Sequence, residues 1–475
     1  MKIDFLQEPE LEFGTGRHVD IRFGLMNYGP LDVEHELAPR RIRAGVVGTP
    51  DTVEMAVEWL ERCRHEIPAK ESRQPNLFPR FPGFNLDEAF RSTLILDDAL
   101  QRTIPDRVFE DLKRAGDANR TIREAAERFT EDFEDLKTNT AADVLICAVP
   151  PQLAELTEPA NRPLGGNGGP PLNFRHLLKA KAMRLKPVQL TLPSTADPKR
   201  ARKLKIRKNE TRSVQDDATR AWNFHTALYY KAHGRPWRLP RDASHLTTCY
   251  VGISFYQTLD RATVMTSMAQ VFDERGDGVV VRGAPVRITK TDRVPRLTER
   301  DADSLLREAL ARYRRMHQHF PARIVVHKTS SFSAAELAGF GAAADAHAVS
   351  TIDYVSVTED STQRLFRYGA YPPLRGTLLG LDRRDQLLYT KGSVDFYATY
   401  PGMYVPRPLL FRCESVDATP KFLAREMLAL TKMNWNDTQF DGGAPITLVA
   451  ARRVGDVLKH VGDDEQVADR YAHYM

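Results

Sequence analysis

Apolar positions along this chain fall into two alternating patterns, short continuous runs and stripes spaced by three or four residues. That alternation predicts an α/β protein. The run at 42–48 predicts a strand, with Thr49 as N-cap and Pro50 as first helical residue. Val53, Val57 and Leu60 then share one stripe of a helix over 51–64, and a strand feeding a capped helix begins an α/β unit. A long charged helical region is expected over about 106–136, followed by a buried parallel strand at 143–149 that stops at Pro150 and Pro151. The glycine-rich stretch 164–171 reads as a hinge or lid without a Walker pattern. Asn173 is a good N-cap for the next helix, 187–192 is strand-like, and a helix over 218–233 ends at Gly234, with Pro236 preventing a restart.

The second half begins with strands at 248–255, 264–272 and 278–282, close enough together to predict an antiparallel meander. Helix and strand then alternate: a helix over 301–317, a strand at 323–327, a helix capped by Ser333 and a strand at 351–357. A hairpin is expected over 379–388, and the last helices over 420–430 and 450–461. The first forty residues read as short extended segments, 19–24 among them, broken by proline and glycine. No internal repeat is visible.

Length and composition narrow the class. The chain has 475 residues, 42% of them apolar, enough for two to four ordinary globular domains. Cysteines at 63, 147, 249 and 413 lack zinc-ligand spacing and read as reduced, buried thiols. No apolar run reaches the ~18 residues of a membrane span, and the N-terminus lacks a signal-peptide core. A soluble, cytoplasmic protein without a membrane partner is expected. A net charge of +5 does not by itself indicate nucleic acid, but residues 199–208 hold seven cations in ten positions. Such a run could track a phosphate backbone or form a solvated loop.

The candidate chemistry lies at separated polar positions. Arg175 and Lys179 are i,i+4 neighbours on one helix, with His176 beside the first. Gln189 follows on a strand, and Lys231 ends a later helix in Lys231-Ala232-His233-Gly234-Arg235-Pro236-Trp237. Several cationic donors without a carboxylate suit a terminal phosphate. A solvated helix face, and a C-terminal cation answering a helix dipole, explain the same residues.

The order basic-x-x-x-Lys, Gln ten residues on, then Lys-x-x-Gly-x-Pro-Trp resembles the guide-end pocket in the MID domain of prokaryotic Argonautes. The opening 8–14 and 27–31, and the segments 326–332, 406–409 and 430–436, extend the resemblance over essentially the whole chain, to the short class. It implies an N-terminal segment over 1–40 packed on the PIWI side, a Rossmann-like MID domain over 41–237 and a ribonuclease-H-like PIWI domain over 238–475. It also implies that Arg175, His176, Lys179, Gln189 and Lys231 hold the 5′-phosphate of a short guide RNA. Many members carry a Tyr where His176 stands near the first guide base, so whether Arg175 or His176 contacts the guide end stays open. Gln189 and the carboxylate of Met475 would share a magnesium ion with that phosphate.

A ribonuclease-H-like nuclease gathers carboxylates around two metal ions ~3.5–4 Å apart. At the positions where the resemblance places such ligands, this chain has Ser254, Lys328 and Ala451. Asp260, Asp353 and Glu359 lie on nearby elements and read as turn or surface acids. A non-cleaving sensor is therefore expected, one that pairs its guide with complementary single-stranded DNA of an invader. It would activate a partner carrying an APAZ region, with a sirtuin-like or TIR NAD-consuming enzyme or a nuclease as effector. The alternatives are a guide-directed nuclease with unconventional metal ligands and an unrelated nucleotide-binding α/β protein.

Overall fold

The computed structural model describes residues 2–157, 170–203, 215–241, 246–272, 278–286, 288, 293–359, 361–400, 402, 404–439, 442–462 and 465–475. Two sheets organise them. In the first, strand Arg41–Gly48 runs parallel to Val144–Ala148 on one side. On its other side lie Thr93–Ile95 near its start and Gln101–Thr103 near its end. Strand Val188–Thr191 extends the sheet, again in parallel. All five residues of Val144–Ala148 are buried, which is why that strand is a continuous apolar run rather than an alternating one. Helix Pro50–Arg62 follows the central strand as the Thr49-Pro50 signal predicts, and the Thr49 N–H donates to Thr52 Oγ1 at 2.9 Å.

The second sheet has ten strands. Its spine runs Thr377–Gly380, Asp385–Leu388, Leu409–Ser415, Thr351–Thr358, Arg323–Lys328, Thr248–Gln257, Val264–Phe272 and Gly278–Val280. Arg323–Lys328 is parallel to both of its neighbours, and the other pairings are antiparallel. The meander, the helix–strand alternation and the 379–388 hairpin thus form as their patterns predict. Helices Glu299–His317 and Ala334–Asp345 pack on each other, and helix Ile446–Leu458 packs on Thr248–Gln257. All four cysteines are free and buried. Among the described residues, no helix is long and apolar enough to cross a membrane.

Two elements differ from expectation. Residues 19–24 are not extended: Ile21–Tyr28 is a helix, because the buried Asp20 carboxylate accepts the N–H groups of Arg22 and Phe23 at its start. The first forty residues are therefore not wholly an extended segment. The helical region expected over 106–136 forms as two helices, Asp106–Arg114 and Ala118–Asn139. Gly116 takes a left-handed φ of 74° between them and Asp117 caps the second. The last long helix starts at Ile446, directly after Pro445, four residues before the expected start at 450.

The N-terminal residues attach to both halves. Strand Lys2–Phe5 pairs antiparallel with Thr377–Gly380 at the edge of the second sheet. The Glu8 carboxylate lies between Arg375 Nε at 2.9 Å and Lys432 Nζ at 3.1 Å. Glu12 takes a bidentate pair from Arg238, and Asp32 accepts from the Tyr229 hydroxyl and the Arg235 N–H.

Candidate functional site: a buried cationic pocket

Helix Phe174–Lys181 starts where Asn173 Oδ1 accepts the His176 N–H at 3.1 Å. Its buried stripe of Phe174, Leu177 and Leu178 also includes Lys179, which is only 6% exposed. Arg175 lies at the exposed side of the same helix, so the two cations differ sharply in solvation although both belong to the site. Helix Asp217–Lys231 is buried along nearly its whole length, and its last residue, Lys231, is 1% exposed. The Lys231 ammonium donates to Gln189 Oε1, on strand Val188–Thr191.

The Lys-x-x-Gly-x-Pro-Trp motif has a local explanation for each residue. The left-handed residue after the helix is His233, φ 75°, and not Gly234. Glycine is needed at 234 because a Cβ there would stand 2.2 Å from the Tyr229 ring. Pro236 and Trp237 are buried, and Trp237 Nε1 donates to Lys432 O at 3.0 Å, tying the turn to the second sheet's helices. The motif thus fixes the direction in which Lys231 leaves its helix.

The end of the sequence reaches the same place. Lys179 Nζ donates to the Tyr474 carbonyl at 3.4 Å, and Tyr474 and Met475 are both buried. Arg453, from helix Ile446–Leu458, completes the group, held by Asn434 Oδ1 at 3.3 Å and the Tyr471 hydroxyl at 3.5 Å. Sequence reading missed Arg453. Its signal was a cation directly before Val454, on the side of the helix that carries the buried residues Ala450, Val454 and Val457.

Among the described residues, no side-chain carboxylate pairs with Lys179 or Lys231, and the electrostatics reflect it. Burial, with Arg175 and Arg453 nearby, pushes the Lys231 ammonium down to about 7. Burial and the neighbouring Lys231, Arg175 and Arg453 hold Lys179 well below its usual range. Burial and the charge of Lys179 drive His176 to about 2, so its imidazole is neutral, and its ring lies 6.3 Å from that of His460.

An anion would reverse this and restore the Lys231 proton. Lys231 titrates near 7 folded and at 10.5 unfolded, so between those values the unfolded chain binds more protons. Stability of the ligand-free protein is therefore expected to rise as pH climbs through that window. Binding of a phosphate-ended strand should instead weaken across it and take up protons near pH 8. Calorimetry in buffers of different ionisation enthalpy reads that uptake, and its absence would count against the pocket.

Other predicted positions lie apart. In the basic run, Arg200 pairs with Asp51 and Glu54 at 3.3 and 2.7 Å, while 204–208 fall outside the described residues. Residues 164–169 of the glycine-rich stretch also fall outside them. Ser254 and Ala451 are buried, and Lys328 lies on the strand parallel to that of Ser254, paired with Ile253. The Lys328 ammonium forms a fully buried ion pair with Glu336 at 2.7 Å and also donates to Ser331 O.

Asp353 is no surface acid: it is buried, paired with Arg323 at 2.6 Å, and accepts the N–H groups of Asp417 and Ala418. Asp260 closes an exposed turn by accepting from Thr258 and Ala262, and Glu359 pairs with Arg452. Among the described residues, no three His, Cys, Asp or Glu side chains gather as metal ligands would.

No protein-family model and no curated protein sequence matches the chain. Solved structures do, over nearly all of it. Clostridium butyricum Argonaute bound to a guide DNA and a 19-mer target DNA aligns with a TM-score of 0.67 at 15% identity, covering 99% of this chain and 54% of that one. A. aeolicus Argonaute aligns at 0.59 and 13%, covering 98% and 55%. Aa-Ago with externally bound siRNA aligns at 0.58 and 12%, covering 99% and 55%. The fold is the mixed α/β fold of the MID–PIWI part of Argonautes, and the chain spans about half the length of these structures.

Proposed function

We propose that this chain is a guide-binding Argonaute of the short class, which holds the 5′-phosphate of a guide RNA in the pocket of Lys179, Gln189 and Lys231. The carrying observation is that Lys179 and Lys231 are buried and mutually repelling, with Arg175 and Arg453 adding to the field. Burying an ammonium is costly unless it is paired. A terminal phosphate, with three acceptor oxygens and up to two negative charges, would supply the partner that no side-chain carboxylate among the described residues gives either lysine. Arg175 at the mouth would meet the phosphate or the next linkage, and the neutral His176 ring would face the first base.

The donors also fit a magnesium ion. The Gln189 carboxamide oxygen and the Met475 carboxylate are hard oxygen ligands, and the ion would add positive charge beside the phosphate. Phosphate binding would release Gln189 Oε1 by redirecting the Lys231 ammonium that now bonds to it. The test is binding of one short RNA, 5′-phosphorylated or 5′-hydroxyl, with magnesium or chelator. A strong phosphate preference that fades on chelation is expected, and equal binding of both RNAs would remove the proposal.

Target recognition would follow by base pairing, with the protein holding ends and backbone of the strands. Cleavage is not part of the proposal. At the positions where the resemblance places a two-metal site's carboxylates, Ser254, Lys328 and Ala451 offer a hydroxyl, a paired ammonium and a methyl. Ser254→Asp alone is expected to leave a paired DNA target uncut with magnesium or manganese, and cutting by that variant would restore the nuclease reading. The output would then come from an APAZ-effector partner, NAD-consuming or nuclease, activated when invader DNA pairs with the guide. Co-purification with the protein encoded beside it, and target-dependent activity of that complex, test this last step.

A further inference from the structure

Upstream of Tyr474, the same tail lines a second cavity. Asp469 and Arg470 border a space of about 420 Å3, together with the end of helix Asp217–Lys231, strand Gly278–Val280 and helix Glu299–His317. The tail is fixed there by backbone bonding: Val279 and Arg470 form a β-bridge, and the Val280 N–H donates to Asp469 O at 2.9 Å.

Four arginines, 235, 312, 315 and 470, face this space against one carboxylate, Asp469. Arg312 pairs with that carboxylate and with Glu308 outside the cavity. The Arg470 guanidinium lies 5.4 Å over the Tyr230 ring and donates to Tyr230 O at 3.2 Å. Its other arm reaches His233 Nδ1 at 2.8 Å, which makes His233 the acceptor and leaves the ring proton on Nε2. His233 holds a left-handed backbone, φ 75°, that a non-glycine residue adopts at a cost. Arg315 stands exposed at the wall.

We propose that this cavity is a second anion site, which takes a phosphate-bearing ligand larger than inorganic phosphate. Guanidinium groups match phosphate oxygens in pairs, and Tyr230 and Arg470 together offer a flat, cationic surface. The volume admits a nucleotide or a short stretch of backbone, and Asp469 would stand as the one unfavourable neighbour. Two sources carry that chemistry, a free nucleotide and an internal linkage of a bound strand. The site stands on its own residues and does not depend on the guide-end pocket.

The test compares Arg315→Glu with Arg300→Glu, a reversal about 22 Å away along the same helix at 1.5 Å per residue. Each variant and the parent chain are titrated at 0.15 M salt with ATP, a 5′-phosphorylated dinucleotide and a 5′-phosphorylated 16-nucleotide RNA. A free-nucleotide site predicts ATP binding that falls at least tenfold in Arg315→Glu only. A backbone site predicts no ATP binding, and at least a tenfold loss for the 16-nucleotide RNA, but not the dinucleotide, in Arg315→Glu only. Equal behaviour of the two reversals toward every probe would overturn the assignment. Lys179→Met with Lys231→Met separates the two pockets, because it should abolish the 5′-phosphate preference and leave the Arg315-dependent loss in place.

Discussion

Replacing both Lys179 and Lys231 with methionine is expected to erase the preference for a 5′-phosphorylated strand while leaving the protein folded and no less stable. Each lysine would contribute a charge-assisted hydrogen bond to the phosphate, worth about 1.5–3 kcal/mol. At 1.4 kcal/mol per factor of ten, each single change should weaken guide loading roughly tenfold to a hundredfold. The two losses need not add, because the residues repel each other in the empty pocket. That repulsion separates the expected result from simple damage. Methionine keeps the apolar stem and removes a buried charge that burial and neighbours already disfavour. Affinity should fall while the unfolding midpoint holds or rises. A double variant that still distinguishes phosphate from hydroxyl would sink the pocket assignment.

The second large effect concerns the position where the resemblance places a metal-binding acid. Glu336→Leu is expected to destabilise the chain by roughly 3–5 kcal/mol, the usual result of leaving one member of a buried ion pair behind. Both side chains of the Lys328–Glu336 pair are fully buried, and burial already lowers the Lys328 ammonium. Glu336 carries more than the pair. It accepts the N–H groups of Leu297 at 2.9 Å and Ser333 at 2.8 Å, closing the capping box of helix Ala334–Asp345. Lys328→Met should therefore cost less than Glu336→Leu, since the carboxylate keeps its other donors. Urea unfolding of the two variants checks the order, and a Glu336→Leu cost below about 1 kcal/mol would refute it. Lys328 is thus bound into the packing at the strand end, and an Asp placed there would face Glu336 as a like charge.

Most elements were legible because they are local. Thr49-Pro50, Asn173 and Ser333 are caps that act within one turn, and the apolar runs of the parallel strands need no partner to be recognised. The misses have local causes with distant consequences. Asp20 turned an extended reading into a helix because its carboxylate is buried beside Arg22 and Tyr397, which a linear pattern does not show. Gly116, with its positive φ, divides the helical region over 106–136 into two helices.

The site was legible mainly through resemblance. Spacing alone fits Arg175 and Lys179 equally well to a solvated face, and only the fold shows that Lys179 is buried and Arg175 is not. Arg453 and Tyr474 lie 264 and 285 positions beyond Gln189. No spacing rule reaches that far.

The pairing of Lys2–Phe5 with Thr377–Gly380 has a consequence for how the protein is made. The two strands are separated by about 370 residues, so at roughly 5–20 residues per second the first waits on the order of 20–75 s for its partner to be translated. During that interval Ile3 and Phe5 have no sheet edge to join, and Glu8 has neither Arg375 nor Lys432 to neutralise it. The nascent chain therefore carries the Lys2–Phe5 segment unpaired until Thr377–Gly380 has been made. That edge of the second sheet closes only after its C-terminal partner strand emerges, and the interval before it is when a chaperone has most to protect.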